Sequence, residues 1–115
     1  MSYTHPYQDA DFVLRHVVKF DELCAEAGLD EANMDLAVAV LEEAGKMGSE
    51  VLAPLNWSGD QAGISLGENG VQEAPGFKEA YQQFAEAGWL SLGAEEEFGG
   101  QGLPNVLSTA VNEVW

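Results

Sequence analysis

Residues 77–104 read FKEAYQQFAEAGWLSLGAEEEFGGQGLP, and the rest of the chain is organised around this stretch. Its first part has the helical period, with large apolar side chains on one side at Phe77, Tyr81 and Phe84. Gly88 can end that helix in a left-handed conformation, and Trp89 follows at once. An acidic triplet at 95–97 leads into a Gly-Gly-x-Gly run at 99–102. We therefore expect sharp turns packed against a ligand, a partner domain or the core of this domain.

Outward from this stretch, the spacing of apolar residues predicts a mostly α fold of about four helices, packed in an orthogonal or up-and-down arrangement. The predicted helices are 11–27, either continuous or kinked or recapped at Asp21; from just after Asp30 to Pro54, which ends the helix or bends its last turn; 77–87; and from Pro104 onward. The second helix has an apolar arc wider than one packing partner requires, so we expect it to be central. Gly45 and Gly48 lie inside that arc and indicate close approach of a neighbouring backbone.

Residues outside the helices are predicted to form an arm and a hairpin within a single domain, 1–115. Residues 1–10 show no periodicity and are predicted to form an extended arm. The helical period is lost between Asn56 and Gly76, and an Asn-Gly pair at 69–70 predicts a small β-hairpin at 64–73. The last helix still has its apolar spacing at Trp115, which favours a fragment of a longer chain.

The charge of the chain is strongly negative, since 20 Asp and Glu face 4 Lys and Arg, giving −16. Such a surface repels phosphate, so nucleic acids and anionic membranes are not expected partners. The acidity indicates either docking to a basic protein or only solubility or adaptation to salt. The chain has one cysteine, no apolar run of membrane-spanning length and no signal-peptide core, so we expect a cytoplasmic protein.

Residues able to bind metal or act as nucleophiles are few. His5, His16 and Cys24 are too few and wrongly spaced for zinc, and Cys24 lies on an apolar face without a basic activator. The run from Asp60 to Gly63 lacks the alternating oxygen ligands of a calcium loop and is expected to be a solvated loop. We predict no metal-binding residue and no catalytic nucleophile.

General acid–base and phosphate-binding sites find equally little support. Acidic pairs and triplets at 42–43 and 95–97 are typical of solvated surfaces rather than of catalytic carboxylates. The glycines at 99–102 match neither a Walker loop nor a dinucleotide fingerprint. They precede a helix N-terminus, which could face an anion, but the expected role is positive φ and tight packing. No catalytic or cofactor-binding residue is therefore predicted.

Several segments together resemble the N-terminal helical domain of the flavin-dependent acyl-CoA dehydrogenases. The resemblance covers the whole chain and is carried by residues 41–46, 51–56, 75–81, 88–89 and 97–104, with Gly59, Asp60 and Gly63. Gly88 and Trp89, followed by Glu97-x-Gly-Gly-x-Gly, are its most specific element. The arm resembles a longer bacterial subgroup that includes enzymes acting on 3-methylmercaptopropionyl-CoA; its matching residues are Tyr3, Pro6, Tyr7, Asp9, Phe12 and Leu14.

The resemblance implies a parent oxidoreductase of fatty acid metabolism, acting on CH–CH donors and oxidising an acyl-CoA to the 2,3-enoyl-CoA with hydride transfer to FAD. It also implies middle and C-terminal domains, an electron-transfer flavoprotein as partner, and a homo-oligomer. The residues here would supply scaffold and part of the wall of the substrate cleft, without bound FAD and without activity alone. The alternative is a stand-alone acidic helical module that binds a partner protein and has no enzymatic activity.

Overall fold

The computed structural model describes residues 2–115. Its helices are α1 (Tyr7–Phe12), a first π-helical segment (Val13–Val17), α2 (Phe20–Glu26), α3 (Met34–Lys46), a second π-helical segment (Met47–Leu52), α4 (Ala53–Ala62), α5 (Phe77–Glu86) and α6 (Asn105–Asn112). Two strands, β1 (Ser65–Gly67) and β2 (Gly70–Gln72), and two 3-10 turns, Trp89–Ser91 and Glu96–Phe98, complete it. The mostly helical fold with a small hairpin is confirmed.

The first helical region differs from its prediction at both ends. Helix α1 begins at Tyr7, so the segment without regular structure ends at Pro6 and the predicted extended arm to residue 10 was wrong. The Pro6 carbonyl accepts a hydrogen bond from the Asp9 N–H (3.0 Å), which starts the first turn. The predicted single helix 11–27 is interrupted at Lys19, whose φ of 55° and ψ of 59° are left-handed. The polar, exposed first turn of α1 hid its helical period.

The start of α3 was placed too early. Its N-cap is Asn33, whose side chain accepts a hydrogen bond from the Leu36 N–H (2.9 Å), rather than Asp30. A second side chain, the carboxylate of Asp21, accepts from the Met34 N–H at 2.8 Å and joins α2 to α3. Two side chains thus satisfy two of the free N–H donors at this helix end.

Pro54 neither ends nor breaks the long second helix. Helix α3, the second π-helical segment and α4 follow one another without a gap from Met34 to Ala62, and we call this unit the rod. Pro54 lies in the first turn of α4, where its missing N–H is tolerated. The predicted loss of helix from Asn56 was therefore wrong. Helix α4 is largely exposed, so it carries no apolar period to reveal it.

The core lies between α2, α3 and α6. Its largest fully buried side chains are Phe20, Leu41, Leu107, Val111 and Cys24. Helix α3 contributes a buried residue on each turn, at Met34, Ala37, Leu41 and Ala44, which confirms that it is central. Leu14 and Leu92 close the core from either side.

The hairpin forms where it was predicted. Leu66 pairs with Val71 and Ser65 with Gln72 in antiparallel register. Gly70 has a φ of 102°, whereas Lys19 is the only described non-glycine residue with positive φ. The turn therefore is not type I′, which needs positive φ at both central residues. Leu66 and Val71 are exposed, so no described part of the chain covers this strand pair.

Helix α6 ends earlier than its apolar spacing indicated. It stops at Asn112, and the Val114 N–H donates to the Val111 carbonyl in a turn (3.0 Å). Val114 is buried, so its apolar side chain packs outside the helix. The prediction that the helical pattern continues into Trp115 was wrong.

The molecule is flat. Its dimensions are 54 × 35 × 16 Å, so the shortest is less than a third of the longest. Its radius of gyration is 16.8 Å, against about 13 Å for a compact domain of similar length. A layer this thin leaves apolar side chains uncovered, including Phe12, Val17, Trp57, Ile64 and Leu90. Among residues 2–115, every helix is too short or too polar to serve as a membrane span.

Candidate functional site

Residues 88–104 form a closed turn that we call the corner. Ser91 accepts hydrogen bonds from the backbone of Ala94 (3.2 Å) and Gln101 (3.3 Å). Gly102 donates to the Ala94 carbonyl at 2.9 Å, and Leu103 donates to Leu92 at 3.1 Å. The corner is therefore held by its own backbone, as in a compact surface loop.

The glycines of the corner are explained by geometry. Gly88 (φ 84°), Gly99 (φ 83°) and Gly102 (φ 61°) have left-handed backbones that favour glycine. A Cβ on Gly100 would collide with the backbone carbonyl of Ala94. Backbone conformation and close packing therefore explain these four glycines without a ligand.

An aromatic cluster joins the corner to the last residue of the chain. The Trp115 ring lies 4.8 Å from Phe84 and 5.2 Å from Trp89 between centroids, both in edge-to-face arrangements. The Trp115 indole N–H donates to the Asn112 side-chain oxygen at 3.4 Å. The bulky group against which the Gly-Trp turn packs is therefore, in part, Trp115.

The N-terminal segment is seated on the rod at the two glycines singled out from the sequence. A Cβ at Gly48 would lie 2.6 Å from Val114 Cγ1 and 3.1 Å from Tyr3 Cε1. A Cβ at Gly45 would lie 3.4 Å from the Cβ of His5. The expected close approach exists, but side chains of the two terminal segments make it, and the prediction of a neighbouring backbone was wrong.

Tyr3 and His5 are the polar groups of this contact. The Tyr3 hydroxyl and His5 Nδ1 are hydrogen-bonded at 3.3 Å. His5 is 6% exposed, and its Nε2 has no hydrogen-bond partner among the described residues. Burial, and secondarily the negative charge of Glu113, raise the pKa of Tyr3. Both groups hold the N-terminal segment in place, and no nucleophile stands beside them.

Beside this contact lies a groove of about 920 Å³, which we call the terminal groove. Tyr3 lines it on the N-terminal side, Leu52, Trp57 and Asp60 line it along the rod, and Val114 and Trp115 line it on the C-terminal side. Trp57 is 70% exposed. The groove has the volume of a small-ligand site but an open, mainly apolar lining.

A second cavity, of about 350 Å³, lies between α2 and α3. Its lining includes Arg15, Asp21, Asp30 and Asp35. Asp21 is already committed to the start of α3, and Arg15 pairs with Asp11 at 2.9 Å. The carboxylates here cap helices and carry surface charge.

The residues considered for metal binding or nucleophilic chemistry lie in different surroundings. Cys24 is in the core and 1% exposed; burial, followed by the charge of Asp21, raises the pKa of its thiol. His16 lies beside Phe12 on the surface, with ring centroids 5.0 Å apart and the rings tilted, whereas His5 is buried where the N-terminal segment meets Gly45. Among residues 2–115, no three His, Cys, Asp or Glu side chains form a group able to hold a metal ion.

The acidic residues considered for proton transfer are exposed. Glu43 pairs with Lys46 on α3, and Glu42 and residues 95–97 are solvated. Asp60 lies in the last turns of α4, so the run from Asp60 to Gly63 is a helix end rather than the expected loop. The terminal groove was missed from the sequence, although Gly48, which lies on its lining, had been singled out.

Comparisons with known proteins identify a relative. No family model matches the chain. The chain is 40% identical over 115 residues to the 3-methylmercaptopropionyl-CoA dehydrogenase of Ruegeria pomeroyi (strain ATCC 700808 / DSM 15171 / DSS-3). The match covers 99% of this chain and 19% of that protein, so the chain spans about a fifth of the length of the relative. The resemblance inferred from the residues is confirmed: nearly the whole chain is similar to part of an acyl-CoA dehydrogenase.

Proposed function

We propose that this chain is the N-terminal helical domain of an FAD-dependent acyl-CoA dehydrogenase. The parent oxidises an acyl-CoA to the 2,3-enoyl-CoA and passes a hydride to FAD. The observation that carries the proposal is 40% identity over 99% of the chain to a dehydrogenase of which the chain covers 19%. The activity lies in the whole parent protein, and this domain contributes scaffold and one wall of the substrate cleft.

The shape of the molecule supports a role as one part of a larger protein. A layer 16 Å thick has too little depth to cover apolar side chains on both of its faces. Phe12, Trp57, Leu66 and Phe98 are each more than half exposed. Large apolar side chains left exposed in this way are what an interface with further domains would cover. The middle and C-terminal domains of the parent, and a second subunit of a homo-oligomer, are the proposed partners.

FAD itself does not fit the residues of this chain. A dinucleotide pyrophosphate is commonly held by cations or by backbone N–H groups at a helix start. The chain has 4 basic residues, of which Arg15 and Lys46 are paired with Asp11 and Glu43. Asp60 is the charged residue on the described lining of the terminal groove. We therefore place FAD, and the catalytic base, elsewhere in the parent.

The acidic surface supports two further proposals. With a formal charge of −16, the parent's contact with an electron-transfer flavoprotein would weaken as salt screens it. The same charge also favours the second candidate function, a stand-alone acidic module that docks on a basic protein. We place either form of the protein in the cytoplasm.

The proposal is tested by the length and the flavin content of the natural gene product. We expect a polypeptide several times the length of this chain, yellow with bound flavin at one per subunit. Residues 1–115 expressed alone should be colourless and should not oxidise acyl-CoA. A natural product that ends near residue 115, without flavin, would reject the dehydrogenase and favour the acidic module.

A further inference from the structure

We propose that the N-terminal segment, residues 2–6, is held on the rod by a proton-sensitive contact at His5 and is released when His5 takes up a proton. This inference goes beyond the proposed function and does not rest on it, because all the groups involved lie within the described part of this chain. His5, which has no part in that function, would act as a pH sensor.

The seat of the segment is formed by two glycines of the rod. The His5 side chain lies over Gly45, with its Cβ 3.4 Å and its Cδ2 3.9 Å from the position that a Cβ at Gly45 would take. The Tyr3 ring lies over Gly48, with Cε1 3.1 Å from the corresponding position. His5 is 6% exposed, and among residues 2–115 it is the one polar or charged residue that is buried. The seated ring therefore has little access to water.

The hydrogen bonds at this seat suit a neutral imidazole. The Tyr3 hydroxyl lies 3.3 Å from Nδ1, whereas Nε2 has no hydrogen-bond partner among the described residues. A neutral ring with its proton on Nδ1 donates to the Tyr3 oxygen and leaves no N–H unpaired. A protonated ring has an N–H on both nitrogens, so the Nε2 N–H and the positive charge would be buried without an acceptor. Release of the segment gives both of them to water.

The charged groups on the elements packed around the seat do not offset this cost. Gly45 brings no side chain, and the negative charge of Glu113, which follows α6, acts on the Tyr3 hydroxyl. Helix α1 packs on α3. The nearest charged residues along these two helices are exposed to water, namely Asp9, Glu42 and Lys46. Salt screens such surface charges, and none of these carboxylates accepts a hydrogen bond from Nε2.

The direction and size of the pH response follow from this difference between the two states. An imidazole in water takes up a proton below about pH 6.5. Because the seated ring stays neutral, release is coupled to the uptake of one proton, and each pH unit below about 6.5 favours release about tenfold. The segment is therefore seated at neutral pH and is lost as the pH falls. Release would also uncover Gly48 and remove Tyr3 from the wall of the terminal groove.

The proposal is tested by hydrogen exchange and mass spectrometry on the full-length natural protein at pH 7.5 and 5.5, with exchange times corrected for the pH dependence of the chemical step. A peptide spanning residues 2–10 reports on the segment, since the Tyr7 N–H donates to the His5 carbonyl (2.8 Å) and the Asp9 N–H to the Pro6 carbonyl (3.0 Å). We expect its protection to fall about tenfold between these pH values. A peptide from α3 should keep its protection, because that helix lies in the core.

The two histidines of the chain provide matched variants. His16 lies on the surface beside Phe12, so His16→Gln should retain the tenfold loss of protection. His5→Gln should lose the pH response, because its amide can donate to Tyr3 but cannot take up a proton. His5→Met is a second neutral variant, with no polar hydrogen, and should also show no response.

The decisive outcome does not require the His5 variants to seat the segment. Unchanged protection of the wild-type segment at pH 5.5 would reject the proposal, and so would a loss that His16→Gln abolishes. A tenfold loss that His5→Gln or His5→Met retains would reject His5 as the sensor. A parallel loss of protection in α3 would show acid unfolding of the whole domain and reject a local release. Bound flavin does not enter the measurement, so failure of the proposed function leaves this test intact.

Discussion

At the scale of single residues, glycines serve two purposes in this chain: a left-handed backbone, as at Gly88 and Gly99, and the close approach of a neighbour, as at Gly48. Gly45 and Gly48 lie three residues apart on the rod, but only Gly48 has no room for a methyl group. Val114 and Tyr3 occupy that space, which ties both terminal segments to the same point of the rod. The sequence showed that something approaches here, but residues 48 and 114 are too far apart in the chain for any local period to reveal what.

This contrast gives a matched pair of substitutions. We expect Gly48→Ala to destabilise the fold by about 1–3 kcal/mol, because the new Cβ overpacks against Val114. Gly45→Ala should be neutral or should stabilise by up to about 1 kcal/mol, since alanine favours helix and its Cβ would make an ordinary contact. Urea unfolding measures both. Equal free energies of unfolding for the two variants would contradict the packing described here.

Cys24 provides a prediction about pH. Burial, followed by the charge of Asp21, raises the pKa of its thiol above the ordinary 9.0. The folded protein therefore holds the proton more tightly than the unfolded chain. The stabilisation that results from this raised pKa is fully present below about pH 9 and is lost as the pH rises through the pKa of the folded protein.

Alkylation measures the same property directly. Iodoacetamide should modify Cys24 more slowly in the folded protein than in urea. Because only the thiolate reacts, the modification rate of the folded protein should rise at a higher pH than that of the unfolded protein. Each unit of increase in pKa lowers the thiolate fraction about tenfold at neutral pH. A Cys24→Ser variant provides the blank. Identical pH profiles for folded and unfolded protein would show that the thiol is not buried as the structure has it.

At the scale of elements, the sequence predicted those parts whose signals are local. Helix α5 and the Asn-Gly hairpin were placed to within about two residues. Both are marked by adjacent residues, Gly76 and Gly88 for the helix and Gly70 for the turn. The glycines of the corner were likewise assigned a turning role from the sequence alone.

Other elements depend on contacts that the sequence does not display. Helix α4 continues past Pro54, which lies in its first turn, and no apolar period marks its exposed surface. The break at Lys19 has no glycine or proline to announce it. The candidate site was harder still, since the terminal groove brings together residues 3, 57 and 115.

The break between the first π-helical segment and α2 can be tested at Lys19. A left-handed backbone costs an L-residue about 1–2 kcal/mol, and glycine avoids that cost. We expect Lys19→Gly to stabilise the protein by about 0.5–1 kcal/mol, after allowing for the greater freedom of unfolded glycine. Lys19→Ala, which also removes the charge but keeps the Cβ, should give no such gain. The comparison is read from thermal unfolding, and equal midpoints would argue against a left-handed residue 19.

At the scale of the whole molecule, charge and shape point to the same role. The flat layer leaves aromatic and aliphatic side chains uncovered, while the acidic residues keep the surface soluble. One fifth of the relative matches this chain, and an incomplete core is what a single part of a larger protein would show. The proposed dehydrogenase thus explains both the sequence identity and the exposed apolar surface.

The most direct measurement of the central claim is the visible spectrum of the natural gene product during an anaerobic titration with acyl-CoA. The proposal predicts an oxidised flavin band that is bleached when an acyl-CoA substrate is added, because hydride transfer reduces the flavin. A short protein without a flavin band, or a flavin band that no acyl-CoA bleaches, would contradict it.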